Sequence, residues 1–114
     1  MSFPRRGEIY WVNLDPTLGS EIAKTRPAVI ISNNIGNQYA DRVIVAPITS
    51  AKTERVYPFE ALIPAGQAGL AVASKVLLDQ IRTIDKSRLG HAIGMLDPAI
   101  LEAINRAIRI SLEL

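Results

Sequence analysis

The residues of this sequence best suited to chemistry are an arginine and a threonine that bound two apolar segments. Arg26 opens Arg26-Pro27-Ala28-Val29-Ile30-Ile31-Ser32, and Thr49 closes Arg42-Val43-Ile44-Val45-Ala46-Pro47-Ile48-Thr49. Short apolar runs between turn residues read as buried strands. If the two pair as antiparallel neighbours, the start of the first lies beside the end of the second. A guanidinium and a hydroxyl then share one rim, beneath a loop formed by residues 15 to 25. That couple suits phosphodiester cleavage in RNA: the 2′-hydroxyl attacks the adjacent phosphorus, charge grows on the equatorial oxygens, and the 5′-oxygen leaves. Arginine can hold two phosphate oxygens and threonine can donate to a third. RNA brings its own nucleophile, so the scheme needs no metal, and DNA lacks the attacking group. Arginine stays protonated beyond about pH 12 and is a poor base. The proton must go elsewhere, to Glu21 or through water.

Each of these residues also has an ordinary reading. Arg26 reads first as a surface or ion-paired arginine, and Thr49 as a β-former or local cap. Gly19-Ser20-Glu21 is a flexible turn before it is a phosphate loop, since one glycine makes no cradle. His91 is the only histidine; without a second imidazole it reads as a surface or turn residue. Asp15, Asp41, Asp79, Asp85 and Asp97 lack metal-ligand spacing, which argues against a two-metal nuclease. Tyr10 and Trp11 are of a type that stacks on bases, but aromatics in a first strand read first as core.

The elements that must position these groups are short. Residues 8 to 14 form a β-branched and aromatic strand that stops at Asp15-Pro16. Asn33-Asn34 and Gly36-Asn37 mark a turn. Pro47 has no N–H for a ladder, which predicts an edge or a bulge. Residues 50 to 58 are a polar loop, Phe59 to Ile63 a short strand, and residues 70 to 84 further strand material. Arg88 to Gly94 is a turn or short strand. The period then changes. Asp97-Pro98 is a helix start, a side-chain oxygen at N-cap followed by proline at N1. Ile100, Leu101, Ile104, Ile108 and Leu112 follow as one apolar stripe, with Glu102 and Arg106 placed for an i,i+4 pair. Short strands, Gly/Pro turns and one terminal helix indicate a mainly β barrel with a C-terminal α-helix.

Composition sets the outer limits. The 114 residues suit one domain, with 48% hydrophobic and 21% charged residues, a globular balance. A chain this short gains from dimerisation. Thirteen basic against eleven acidic residues give +2, a slight bias toward polyanions spread evenly along the chain. The absence of cysteine rules out a disulfide scaffold, a thiolate nucleophile and a cysteine-ligated zinc site. No leader follows the opening Met-Ser-Phe-Pro-Arg-Arg, and no apolar run nears the roughly 18 residues of a membrane helix. A cytoplasmic location is expected.

Four segments in order resemble the MazF/PemK family of toxin endoribonucleases, over about residues 5 to 113. They are Arg6-Gly7-Glu8-Ile9-Tyr10-Trp11-Val12-Asn13-Leu14-Asp15-Pro16, then Gly19-Ser20-Glu21 with Arg26-Pro27-Ala28-Val29-Ile30, then Val45-Ala46-Pro47-Ile48-Thr49-Ser50, and finally Leu78 to Leu89. The resemblance implies an SH3-like barrel of the MazF/PemK/CcdB toxin type that forms a homodimer. It implies metal-independent cleavage of single-stranded mRNA at a short motif, leaving a 2′,3′-cyclic phosphate and a 5′-hydroxyl, with no cofactor. It also implies a cognate antitoxin whose extended tail covers the RNA groove. Arg26 and Thr49 correspond to the family's catalytic pair. Ser20 and Glu21 would lie near the scissile phosphate, and Gln80 and Arg82 would face the site or the dimer seam. The chain departs from the family where glycines often precede the arginine. Here stands Ile22-Ala23-Lys24-Thr25, which adds Lys24 to the candidate substrate-binding residues. Two other functions stay open: a toxin of the same fold that poisons DNA gyrase by binding it, and an RNA-binding module without activity.

Overall fold

The eight-residue strand Arg42–Thr49 organises the fold. The computed structural model describes residues 3–114; Met1 and Ser2, which open the stretch read as lacking a leader, lie outside the described residues. The elements are β1 (Glu8–Asn13), β2 (Thr25–Ile30), α1 (Asn34–Tyr39), β3 (Arg42–Thr49), β4 (Glu60–Ile63), β5 (Ser74–Leu77), β6 (Arg82–Asp85), β7 (Leu89–Met95) and α2 (Pro98–Leu112). This is the mainly β architecture with a C-terminal helix that the sequence predicts. Strands run β4-β5-β3-β2-β1-β7, and β6 also pairs with β3. Every pairing is antiparallel.

Side chains alternate across β2 and β3 because successive residues of a strand point to opposite faces. Val29, Ala46 and Ile48 enter one apolar cluster, closed by β4, β5 and α2 through Ile63, Val76 and Ile104. Ala28, Ile30, Val43 and Val45 enter the other, with Val12, Leu14 and Ile84. The helix begins as its sequence predicts: Asp97 Oδ1 accepts the Ile100 N–H at 3.0 Å and Pro98 occupies the first turn. Ile104 is fully buried, worth about 1.5–3 kcal/mol for a side chain of that size. The apolar stripe is only partly used. Ala107 is buried while Leu112 is 55% exposed. The expected Glu102–Arg106 ion pair does not form; among the described residues the one ion pair is Lys75–Glu60.

Four local expectations are corrected. Residues 34 to 39 are a short helix, not a turn, because the Asn33 side chain accepts the Gly36 N–H at 2.8 Å and caps it. Leu89–Met95 is a full seven-residue strand, paired to β1 across two register shifts. Its Gly94 admits a close approach: a Cβ there would lie 2.3 Å from the Ala68 carbonyl oxygen. Trp11 is half-buried rather than core, its ring tilted against exposed His91 with centroids 6.3 Å apart, whereas half-buried Tyr10 does pack against the second apolar cluster. Pro47 sits inside the sheet and is buried. On one side β3 pairs with β6 up to Val45↔Arg82 and with β5 from Ile48↔Val76. Ala46 and Pro47 fall in the gap between those neighbours, where a missing N–H costs no ladder bond. No helix among the described residues is long and apolar enough to cross a membrane.

Candidate active site

β2 and β3 are adjacent and antiparallel, with Ala28 facing Pro47, Val29 facing Ala46 and Ile30 facing Val45. The ladder ends at Ala28↔Pro47, and the same register carried two residues further would set Arg26 against Thr49. Residues directly opposite in an antiparallel pair share a face, here the face of Ala28, Ile30 and Val45. Arg82 faces Val45 in the β3–β6 ladder and so projects from that face too. Arg26, Thr49 and Arg82 are all half-buried, placed to meet a ligand while packed on one side.

The Arg26 side chain is already oriented. Its Nε donates to the Ala23 carbonyl at 2.8 Å, and its terminal nitrogens make no hydrogen bond among the described residues. The part of the guanidinium that recognises phosphate is therefore unspent. Thr49 Oγ1 accepts the Ala51 N–H at 3.1 Å. That bond uses a lone pair and leaves the hydroxyl proton for a ligand oxygen.

The 14–24 loop is held at several points. Leu14 N–H donates to the Lys24 carbonyl at 3.0 Å, and Lys24 N–H to Asp15 Oδ1 at 2.9 Å. Lys24 adopts a left-handed φ of 73°, which suits glycine far better than lysine. The departure noted in the sequence thus falls on a backbone position that favours glycine. Gln80 Oε1 accepts the Ile22 N–H at 2.7 Å. Arg82 donates to the Leu14 carbonyl at 2.8 Å, and Arg88 to the Asn13 and Asp15 carbonyls at 3.1 and 2.6 Å. Gln80 and Arg82 therefore support the loop as well as lining what it encloses. Arg88 does the same work from outside the expected set.

Between the loop and the segment before β6 lies a cleft of about 750 Å³, whose lining includes Leu18, Ser20, Glu21, Asp79, Gln80 and Arg82. Four of the five expected substrate-binding residues line it; Lys24 does not, and neither do Arg26 or Thr49. Glu21 Oε1 accepts the Leu18 N–H at 2.5 Å, so this candidate base braces its own loop, with no hydrogen bond to Arg26 or Thr49 among the described residues. No group of three His, Cys, Asp or Glu side chains stands where it could hold a metal, again among the described residues.

The sequence and fold that carry this rim and cleft match a group of known proteins. Residues 5–112 fit the family described as PemK-like, MazF-like toxin of type II toxin-antitoxin system. The chain belongs to this family. It is 40% identical over 110 residues to Endoribonuclease EndoA of Bacillus subtilis, covering 96% of this chain and 95% of that protein. It is 42% identical over 115 residues to Endoribonuclease MazF9 of Mycobacterium tuberculosis, covering 96% and 97%. Its fold matches a mycobacterial endoribonuclease solved in complex with its cognate antitoxin, at a TM-score of 0.80 and 27% identity over 97% and 96% of the two chains. The chain is thus a MazF-type endoribonuclease toxin. The barrel with a C-terminal helix expected from the resemblance is the fold observed.

One neighbourhood went unread in the sequence. Lys52, Glu54, Arg55, Tyr57 and Lys75 line a second cleft of about 380 Å³, and Lys75 faces Thr49 in the β3–β5 ladder. The signal was present in residues 52 to 59, where the cations Lys52 and Arg55 are followed by the aromatics Tyr57 and Phe59, a composition suited to single-stranded nucleic acid.

Proposed function

We propose that this MazF-like toxin cleaves single-stranded mRNA without a metal, by attack of the 2′-hydroxyl, leaving a 2′,3′-cyclic phosphate and a 5′-hydroxyl. The observation that supports the reading is the antiparallel β2–β3 ladder, which runs from Ile30↔Val45 to Ala28↔Pro47 and whose register, extended by two residues, would oppose Arg26 to Thr49; the Arg26 terminal nitrogens make no hydrogen bond among the described residues. In this scheme the guanidinium holds the two non-bridging oxygens of the scissile phosphate and Thr49 Oγ1 donates a further hydrogen bond to one of them. Both bonds strengthen as charge grows on the phosphorane, which is what accelerates the step. The O2′–P bond forms, the P–O5′ bond breaks, the 2′-proton leaves to solvent or Glu21, and the 5′-oxygen gains a proton. Ser20, Glu21, Gln80 and Arg82 border the path of the flanking nucleotides, and Lys24 adds charge at its edge.

The same reading gives the chain a second copy and an inhibitor. Large apolar side chains outside the two clefts, among them Ile44, Met95, Ile110 and Leu112, stay exposed, and a homodimer would cover part of such surface. The antitoxin bound to the mycobacterial relative supports a cognate antitoxin here, whose docking over the cleft would exclude RNA in the cytoplasm. The decisive experiment incubates purified protein with a long mRNA, with and without EDTA, and maps the new 5′ ends. Discrete cuts at a repeated short motif, unaffected by EDTA and abolished by a single deoxyribose at the cut position, are the expected result. Cleavage at that deoxyribose rejects 2′-hydroxyl attack, and a magnesium requirement rejects the metal-free scheme.

A further inference from the structure

Lys75, which faces Thr49 across the β3–β5 ladder, is a buried lysine. The residue is 5% exposed, and its ammonium lies 2.9 Å from Glu60 Oε1, itself buried. Two further bonds reach the backbone of the 50–58 loop. Lys75 Nζ donates to the Arg55 carbonyl at 3.0 Å, and the same Glu60 oxygen accepts the Tyr57 N–H at 3.0 Å. The far leg of the loop is strapped at residues 55 and 57, while its near leg is tied to Thr49 through the Ala51 N–H. Over the strap, the Tyr57 ring stacks on Phe59 at 5.5 Å with planes 2° apart. The Arg55 and Lys75 cations sit 5.9 and 5.8 Å from its centroid.

Stability does not account for such a pair. Desolvating two charges offsets most of their attraction, and an apolar pair of the same volume often does as well or better. What an apolar pair cannot do is hold the Arg55 carbonyl and the Tyr57 amide. The second cleft opens beside Thr49, and its lining of Lys52, Arg55 and Tyr57 offers phosphate-binding cations and a base-stacking face together.

We propose that Lys75 and Glu60 are positioning residues that set the 50–58 loop as a wall beside Thr49, where Tyr57, Arg55 and Lys52 take the nucleotide flanking the scissile phosphate. The inference rests on the ribonuclease reading above and adds a subsite to it.

The test uses the full chain and two oligonucleotides built on the motif found by end mapping, each with one ribose at the cut. The short one ends at the cut dinucleotide; the long one extends three nucleotides to either side. Lys75→Met/Glu60→Leu removes both charges at once, orphans neither, and releases both backbone ties. The advantage in kcat/KM of the long over the short substrate should shrink about tenfold, through KM, which is the scale of losing one stacked base. Tyr57→Ala should reproduce that shrinkage with the ion pair intact, and it decides alone if the double variant does not fold. An unchanged advantage in these variants, or an equal loss on both substrates, overturns the inference while leaving the ribonuclease reading intact. A wild-type chain that cleaves neither substrate sinks that reading, and this one with it.

Discussion

Replacing Arg26 by alanine removes two separable things. The first is the single hydrogen bond from Nε to the Ala23 carbonyl, 2.8 Å long at the start of β2. A bond of this kind contributes about 1 kcal/mol, and the Lys75–Glu60 ion pair, the only one among the described residues, is untouched. In a domain of this size a loss of about 1 kcal/mol lowers Tm by a few degrees. The second is the pair of terminal nitrogens, which make no hydrogen bond among the described residues and, in the proposed scheme, act when a phosphate gains charge between them. Removing a preorganised donor set of this sort costs about 3–4 kcal/mol of transition-state stabilisation, or roughly 10²–10³ in rate. Single-turnover cleavage of an oligonucleotide with one ribose, beside calorimetric melting, reads both quantities in one preparation. Arg26→Ala should lose at least two orders of magnitude in rate with a Tm within a few degrees of wild type. Arg26→Lys, which keeps the charge and loses the fork, should fall between. A rate for Arg26→Ala within fivefold of wild type refutes the assignment. So does a rate loss matched by a collapse in Tm, which would make Arg26 a structural residue.

Three further outcomes follow from the geometry. Lys24→Gly should raise stability by up to about 1 kcal/mol in urea melts by relieving the left-handed φ of 73°, and Lys24→Val should lower it; a tolerated valine contradicts that backbone. Gly94→Ala should cost roughly 2–4 kcal/mol, because its Cβ would sit 2.3 Å from the Ala68 carbonyl oxygen and only backbone movement relieves it; a melt within a few tenths of wild type contradicts the close approach. Burial, and after it the Glu8 carboxylate, hold the Tyr10 phenol above its ordinary 10.0. Its contribution to stability is full below pH 10 and lost as pH rises through the folded value. Tyr10→Phe should therefore flatten the fall in Tm above pH 10, and an unchanged alkaline slope removes Tyr10 as its source.

The parts of the fold that were legible in the sequence are those whose signals are local. Arg42–Thr49 is bounded by polar residues on both sides, and Asp97-Pro98 supplies both halves of a helix start. That β2 and β3 would be antiparallel neighbours followed from the order of two strands. What was missed depended on partners distant in the chain. Leu89–Met95 is weak strand sequence, with Gly90, His91 and Gly94, and is held extended by β1 and by the backbone near Ala68. Pro47 was assigned to an edge because nothing local reveals a gap between β6 and β5. Asn33 did carry a capping signal, but six residues with a glycine show no period. Lys75 and Glu60 look like ordinary surface charges until the β4–β5 hairpin folds them together.

The gap beside Pro47 divides labour within one strand. Arg26 rides on the β1–β2–β3–β6 half of the barrel, whereas Thr49 lies beyond the interruption, where its other neighbour is β5. The distance between cation and alcohol is thus governed by the straightness of a single strand across a seam. Whatever tilts the β4–β5 hairpin would carry the threonine with it and leave the arginine behind.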